Sequence, residues 1–346
     1  MISVFKPSLV SRDYTNATLS SSIFQFNGST TNTPEIPINY TIEGLTRDVY
    51  PKPLHSHNDY WRYHPFYDAL GAGAVSIESD VWYFPQDYEL ERSDYNKSNE
   101  TLYFNSDEIY VGHNQIYLRP IDTLFNLYLN PLLTFLNFAN PEFQYTQQSG
   151  SPFENKKYGV FYNDPEQQVY LWFDFKNDAN STYDQLKKQI QPFIDKGYLT
   201  YYNSTSDSFV NNPLILTITG NLPIEKVQDE ETRYLFLDGP LQNFTNGTSE
   251  DDLNKWSKLS RVVSSSLESL IKDDNYQNSK KSNFTDSQKF KLKEYFDKAH
   301  EYGLKTRIWG DITWPINTFN SHLQDFYILG SDLLNVDDLQ KAKDFF

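Results

Sequence analysis

Short β-branched and aromatic runs alternate with amphipathic stretches along most of this chain. The clearest strand pattern spans residues 75–82, where Val75, Ile77, Ser79 and Val81 share one face and Ser76, Glu78, Asp80 and Trp82 the other. Residues 169–176 repeat it, with Leu171, Phe173 and Phe175 on one side and Trp172, Asp174 and Lys176 on the opposite side. In both runs the apolar face suits packing on helices, and the acidic face must look into something polar. Further strands are predicted at a first run ending in His55-Ser56-His57, then at 108–113, 214–219, 234–238, 261–266, 305–311 and 333–336. Helical spacing falls between them: from Pro65 to a stop at Gly71 and Gly73, over 121–139 with a break at Pro131, and over 181–196, 286–302 and 321–329.

Strands alternating with helices predict a parallel α/β architecture, and polar or charged residues at the strand C-termini match the mouth of a (β/α)₈ TIM-type barrel. The predicted strands number nine, one more than a closed barrel needs. A doubly wound open sheet is the second choice of fold, and it would want a Gly-rich phosphate turn after the first strand, which is missing. The barrel is expected as one domain over residues 51–346. Residues 1–50, rich in Ser, Thr and Asn, read as a tail or loosely docked lead-in, and 86–107 as an inserted surface loop.

Composition narrows the chemistry. Thirty Lys and Arg against 46 Asp and Glu give a net charge of -16, which disfavours nucleic acid and anionic membrane surfaces as bulk partners. Without cysteine there is no disulfide and no Cys-based zinc site, so a metal here takes oxygen or histidine ligands. No stretch is apolar enough to span a bilayer, and residues 1–10, broken by Lys6 and Pro7, are too short for a signal peptide. Ten Asn-X-Ser/Thr sequons, at Asn16, Asn27, Asn39, Asn96, Asn99, Asn180, Asn203, Asn243, Asn246 and Asn283, have two readings: the chance yield of a chain rich in Asn, Ser and Thr, or a secretory or vacuolar lumen or the extracellular space, which would require an upstream signal.

The candidate chemistry gathers at strand ends. Glu78 and Asp80, two apart, face the same side, and Asp174 can join them from a neighbouring strand. Three hard oxygen donors suit Mg²⁺ or Ca²⁺ better than zinc. A lone Glu-X-Asp is also what a solvated strand end looks like; burial near a barrel mouth instead demands a cation, either a metal or Lys176. His55 and His57 end the first strand and His113 the third, so two of the three can face each other across a bound anion as general base and general acid. His64 reads as a cap or packing residue, and His300 and His322 as surface residues. A zinc-dependent amidohydrolase barrel also starts with His-X-His, but it needs further histidines at middle strands, where this chain has only His113.

In combination these motifs resemble the phospholipase C-like phosphodiesterase superfamily, the barrel shared by glycerophosphodiester phosphodiesterases and sphingomyelinase D, with the closer likeness to a fungal branch and its bacterial relatives. Carrying the resemblance are residues 53–60 (Pro-Leu-His-Ser-His-Asn-Asp-Tyr), Glu78-Ser79-Asp80-Val81-Trp82, Val111-Gly112-His113, Phe173-Asp174-Phe175-Lys176 and residues 334–339 (Leu-Asn-Val-Asp-Asp-Leu), five motifs in one order from about residue 50 to the end. The resemblance implies Glu78, Asp80 and Asp174 as divalent-cation ligands, His57 and His113 as the acid/base pair with His55 competing for the first role, and Lys176 as a phosphate contact. Trp309 resembles a late aromatic lining the mouth. Asn58 stands where glycerophosphodiesterases carry Arg, so their substrate preference does not transfer. The resemblance thus implies a metal-dependent phosphoric diester hydrolase acting on a lipid or lipid-derived phosphodiester. Its competitor is an inactive barrel that binds a ligand or partner.

Overall fold

The computed structural model describes residues 19–20, 23–24, 41–92, 100–142, 156–271 and 282–346, and it forms a (β/α)₈ barrel. Its strands are β1 (Lys52–Ser56), β2 (Ala74–Tyr83), β3 (Val169–Phe175), β4 (Leu214–Gly220), β5 (Leu235–Leu237 and Gly239–Pro240), β6 (Val262–Ser266), β7 (Lys305–Trp309) and β8 (Leu333–Val336). All pairings within the ring are parallel, in the order β5-β4-β3-β2-β1-β8-β7-β6-β5. The two halves of β5 close it. Leu235–Leu237 pairs with β4, the chain turns at Asp238, and Gly239–Pro240 pairs with β6.

The ninth predicted strand is real but lies outside the ring. Ile109–Val111 runs antiparallel to the last residues of β2, with Val81 opposite Val111 and Tyr83 opposite Ile109. His113 therefore reaches the mouth from the opposite chain direction, carried in by a Gly112 N–H that donates to the Asp80 carbonyl at 3.1 Å.

The expected surface loop at 86–107 also differs. Tyr88–Arg92 and Glu100–Phe104 form an antiparallel hairpin, and its alternating Tyr88, Leu90, Leu102 and Phe104 pack with buried Tyr110 and Leu118 in a small satellite core. Their charged neighbours hide that alternation in a window average. Residues 121–139 begin as a π-helical turn, Phe125–Leu129, that runs into an α-helix over Asn130–Ala139. Pro131 sits in the helix's first turn, where no N–H is needed. Of the 1–50 lead-in, Ile42–Thr46 is a short helix and most of the remainder lies outside the described residues, as do the sequons at Asn16, Asn27, Asn39, Asn96 and Asn99. No helix among the described residues is long and apolar enough to cross a membrane.

His322 is not on the surface. It is fully buried in the helix Ile316–Leu329, with Nδ1 3.0 Å from the Asp311 carboxylate, Nε2 2.8 Å from the Ser282 carbonyl and its ring stacked on Phe284 at 4.0 Å. Both nitrogens face acceptors, so the ring suits the imidazolium form. Burial works against that charge, but Asp311 outweighs it and raises the pKa above the ordinary 6.5. A raised histidine contributes stability that is fully present below the unfolded value and is lost as pH rises through the folded one. In urea unfolding, the wild type's advantage over His322→Gln should be constant below about pH 6.5, where it is on the order of 1.5–3 kcal/mol, and should shrink above it. A pH-independent difference would refute the charged pair.

Candidate active site

Strand register builds the site. Asp80 lies beside Asp174 and Glu78 beside Trp172 across β2 and β3, while Asp174 lies beside Thr219 across β3 and β4. Neighbouring residues in register point the same way, so the two acidic faces read from alternation meet inside the mouth. One oxygen from each of Glu78, Asp80 and Asp174 lies within 4.8 Å of the others. Glu78 and Asp80 are buried and Asp174 is partly buried.

Two cations hold this acidic cluster. Lys176 Nζ donates to Asp174 Oδ2 at 2.6 Å and lies 3.0 Å from Asp80 Oδ2. Burial opposes its charge, but the two carboxylates prevail and raise the ammonium above its usual value. Buried Arg307, on β7, donates to Glu78 Oε2 at 3.2 Å, is fixed by Asn335 Oδ1 at 2.7 Å and lies over the Trp172 ring at 5.0 Å. Although burial would raise Glu78, Arg307 and His55 hold its carboxyl well below the usual range.

These bonds consume one side of each carboxylate. Among the described residues no hydrogen bond engages Glu78 Oε1, Asp80 Oδ1 or Asp174 Oδ1, so each carboxylate keeps one oxygen without a hydrogen bond. The donor set of three hard carboxylates fits a divalent cation. Gly220 keeps this arrangement open. Its φ is +73°, and a Cβ there would come 2.1 Å from Asp174 Oδ1 and 2.8 Å from the Phe175 carbonyl.

The three strand-end histidines take different positions. His55 is 0% exposed, with Nδ1 2.7 Å from Ser76 Oγ and Nε2 3.0 Å from Glu78 Oε2. Burial, reinforced by Arg307, lowers it to about 3, so the ring is neutral, donates to Glu78 and accepts from Ser76. It offers solvent nothing. His57 is 31% exposed, with Nδ1 2.6 Å from Asp337 Oδ1 and Nε2 facing Glu78 Oε2 at 3.9 Å. His113 is 47% exposed, with Nδ1 3.0 Å from Asp80 Oδ2. The two accessible histidines thus each present Nδ1 to a carboxylate. Trp309, at the end of β7, is half-exposed on the rim, as is Trp61, whose ring lies 5.2 Å from that of His113.

Four residues of the site escape a reading of the sequence. Asp337 is visible within its motif, but its bond to His57 spans 280 positions; that bond is the foremost cause holding its carboxyl below the usual value. Arg307 and Asn335 follow the inward parity of β7 and β8, a signal available in principle. Tyr60 donates to Asp80 Oδ2 at 2.8 Å from a short 3₁₀ turn, Asp59–Trp61, which has no strand parity to read.

Comparison with known proteins agrees with the motifs. The AIM6-like phosphodiesterase domain matches residues 43–102 and 98–238. Among curated proteins, the chain is 36% identical over 326 residues to altered inheritance of mitochondria protein 6 of Saccharomyces cerevisiae, covering 89% of this chain and 74% of the relative. It is 35% identical over 311 residues to the Eremothecium gossypii protein of that name, covering 87% and 71%. It is 32% identical over 323 residues to the Arthroderma benhamiae homolog, covering 91% and 90%. No solved structure matches.

The steric role of Gly220 is open to a controlled test, because Gly303 shares its backbone sign, φ +70°, but a methyl added there would meet nothing within 4 Å. Alanine at either position should cost about 1 kcal/mol of backbone strain. If the three carboxylates take up a divalent cation, only Gly220→Ala should also weaken that binding by calorimetry, by about tenfold or more. Equal titrations for the two variants would show that the approach to Asp174 does not matter.

Proposed function

The chain belongs to the AIM6-like phosphodiesterase family, and from that membership and the geometry of its mouth we propose that it is a metal-dependent phosphoric diester hydrolase acting on a lipid or lipid-derived phosphodiester. The observation that carries the reading is the pair of accessible histidines, each oriented through Nδ1 by a carboxylate, beside three carboxylates that each bring an oxygen within 4.8 Å of the others.

Glu78, Asp80 and Asp174 would hold Mg²⁺ or Ca²⁺, which when bound supplies charge to a non-bridging phosphate oxygen. Lys176 adds a second positive contact from the same rim. With Nδ1 committed to Asp337, His57 keeps Nε2 to take a proton from the nucleophile, either water or a substrate hydroxyl, and Asp337 stabilises the imidazolium that forms. His113 delivers a proton from Nε2 to the leaving oxygen as the P–O bond to the nucleophile forms and the bond to the leaving group breaks. His55, buried and neutral, orients Glu78 in this scheme. Trp309 would pack against the substrate's organic part.

A barrel that binds a ligand without turnover is the second reading, supported by Lys176 already bridging two of the carboxylates as a cation would. The sequons at Asn180, Asn243, Asn246 and Asn283 are exposed, which supports a lumenal or extracellular route, and glycosidase treatment of the native protein should then shift its mobility.

A panel of glycerophosphocholine, lysophospholipids and sphingomyelin, assayed with and without added metal, should reveal turnover that EDTA abolishes and Mg²⁺ or Ca²⁺ restores. His113→Ala should lower the rate about 10²- to 10⁴-fold; undiminished turnover would end its assignment as the acid. Calorimetric metal titrations separate the two readings. Heats present in the wild type and absent from the Glu78→Gln/Asp80→Asn variant favour the enzyme, whereas identical titrations favour the binding module.

A further inference from the structure

One hydrogen-bonded path joins the two accessible histidines, and it runs through a single turn of chain. The Asn58 amide lies 3.2 Å from His57 Nδ1 at one end and 2.6 Å from Tyr60 Oη at the other. Tyr60 Oη in turn lies 3.2 Å from His113 Nδ1 and 2.8 Å from Asp80 Oδ2. Every atom of the path is within hydrogen-bonding reach of the next. We propose that Asn58 and Tyr60 are positioning residues that tie His57 and His113 into one unit, fixing both Nδ1 faces so that both Nε2 faces serve the same bound phosphodiester.

Proton counting gives the path a direction. His57 Nδ1 sits 2.6 Å from the Asp337 carboxylate, so it carries the proton and cannot accept one from an amide N–H. The two ends of an amide are isosteric, and the consistent assignment turns the Asn58 oxygen toward His57 and its NH₂ toward Tyr60 Oη. Tyr60 is then free to donate its own proton to Asp80 Oδ2, the oxygen that also accepts from His113 Nδ1. In this arrangement the His57 Nδ1 proton is shared between Asp337 and the Asn58 oxygen, the His113 Nδ1 proton between Asp80 Oδ2 and Tyr60 Oη, and one of the two Asn58 amide protons serves Tyr60 Oη.

The turn itself is firmly anchored, as a positioning element requires. Asn58 adopts the left-handed conformation, φ 49° and ψ 46°, which asparagine tolerates better than most residues. Asp59, between the two, is fully buried and accepts from Ser56 Oγ at 2.7 Å, the Phe66 N–H at 2.6 Å and Tyr128 Oη at 3.1 Å. Arg62, one turn on, donates to the carbonyls of His57 and Val336 and to that of Asp337. The segment carrying Asn58 and Tyr60 is thereby fastened to β1 and to the end of β8.

The proposal rests on the phosphodiesterase reading for its purpose, but its test does not. In ¹⁵N-histidine NMR of the whole chain, Tyr60→Phe should shift the ring signals of both His57 and His113, although Tyr60 Oη lies against His113 alone. Asn58→Gly, which suits a positive φ, should do the same from the other end. A change confined to the adjacent ring, or no change, overturns the proposal. With an active substrate, each variant should lower kcat about 10- to 100-fold with KM within about twofold, and the double variant should cost no more than the worse single one; additive losses also overturn it. If no phosphodiester is turned over, the reaction is rejected and the ring signals still decide whether the unit exists.

Discussion

Three carboxylates brought within 4.8 Å of one another in a largely buried mouth are the constraint around which this barrel is arranged. At an effective dielectric constant near 20, each pair of like charges at that distance repels by about 3 to 4 kcal/mol. Desolvation adds to the cost. Lys176 and Arg307 offset it from opposite sides, the lysine on Asp80 and Asp174 at the rim and the arginine on Glu78 below. Neither cation could be spared without leaving buried charge uncompensated. Arg307 is in turn held by Asn335 and Trp172, so the demand of one carboxylate reaches across the barrel to β8.

Parity along the strands is what makes such a cluster possible. Glu78 and Asp80 share a face because they are two apart, and Asp174 joins them because β2 and β3 are in register at Asp80. A slip of one residue would send all three side chains outward and bring Ile77, Val81 and Phe173 into the mouth. The apolar outer faces of both strands, packed under helices, resist that slip. The burial that stabilises the barrel therefore also specifies the acidic cluster.

This dependence on parity explains what can be read from the chain. Alternation is local, so the eight staves, the acidic face of β2 and the repeat of its pattern in β3 are legible from residues alone, and five ordered motifs point to the superfamily. Chain direction is not encoded in alternation. Residues 108–113 therefore read as one more parallel strand when they are an antiparallel appendage, and His113 comes to the mouth by a different path from the one a parallel strand would take. Partners distant in sequence are equally silent. Nothing near His57 announces Asp337, and nothing near Glu78 announces Arg307. His322 looks solvated beside Asn320, Ser321 and Gln324, yet it shares the apolar face of Phe319, Leu323 and Phe326, a signal available in principle, and its charged partner Asp311 lies in the preceding loop. The hairpin at 88–104 is masked for the opposite reason, its charged residues being interleaved with the four aromatic and aliphatic side chains that fold it.

Charge arithmetic links this architecture to the proposed reaction. The chain carries a net charge of -16, and a phosphodiester is an anion, so the molecule as a whole repels what the site is proposed to bind. At the carboxylate cluster itself, with Asp337 set apart as the partner of His57, Glu78, Asp80 and Asp174 against Lys176 and Arg307 leave a formal charge of -1. A site left at that charge would disfavour the substrate further. One divalent cation on these carboxylates would change the cluster's sum from -1 to +1, so the same groups that make the empty cluster acidic would make the loaded cluster attractive to a phosphate. On this reading the metal requirement would be set as much by the need to admit an anion as by the chemistry performed on it, and the arginine and lysine contacts bring the sum close enough to zero for one ion to reverse its sign.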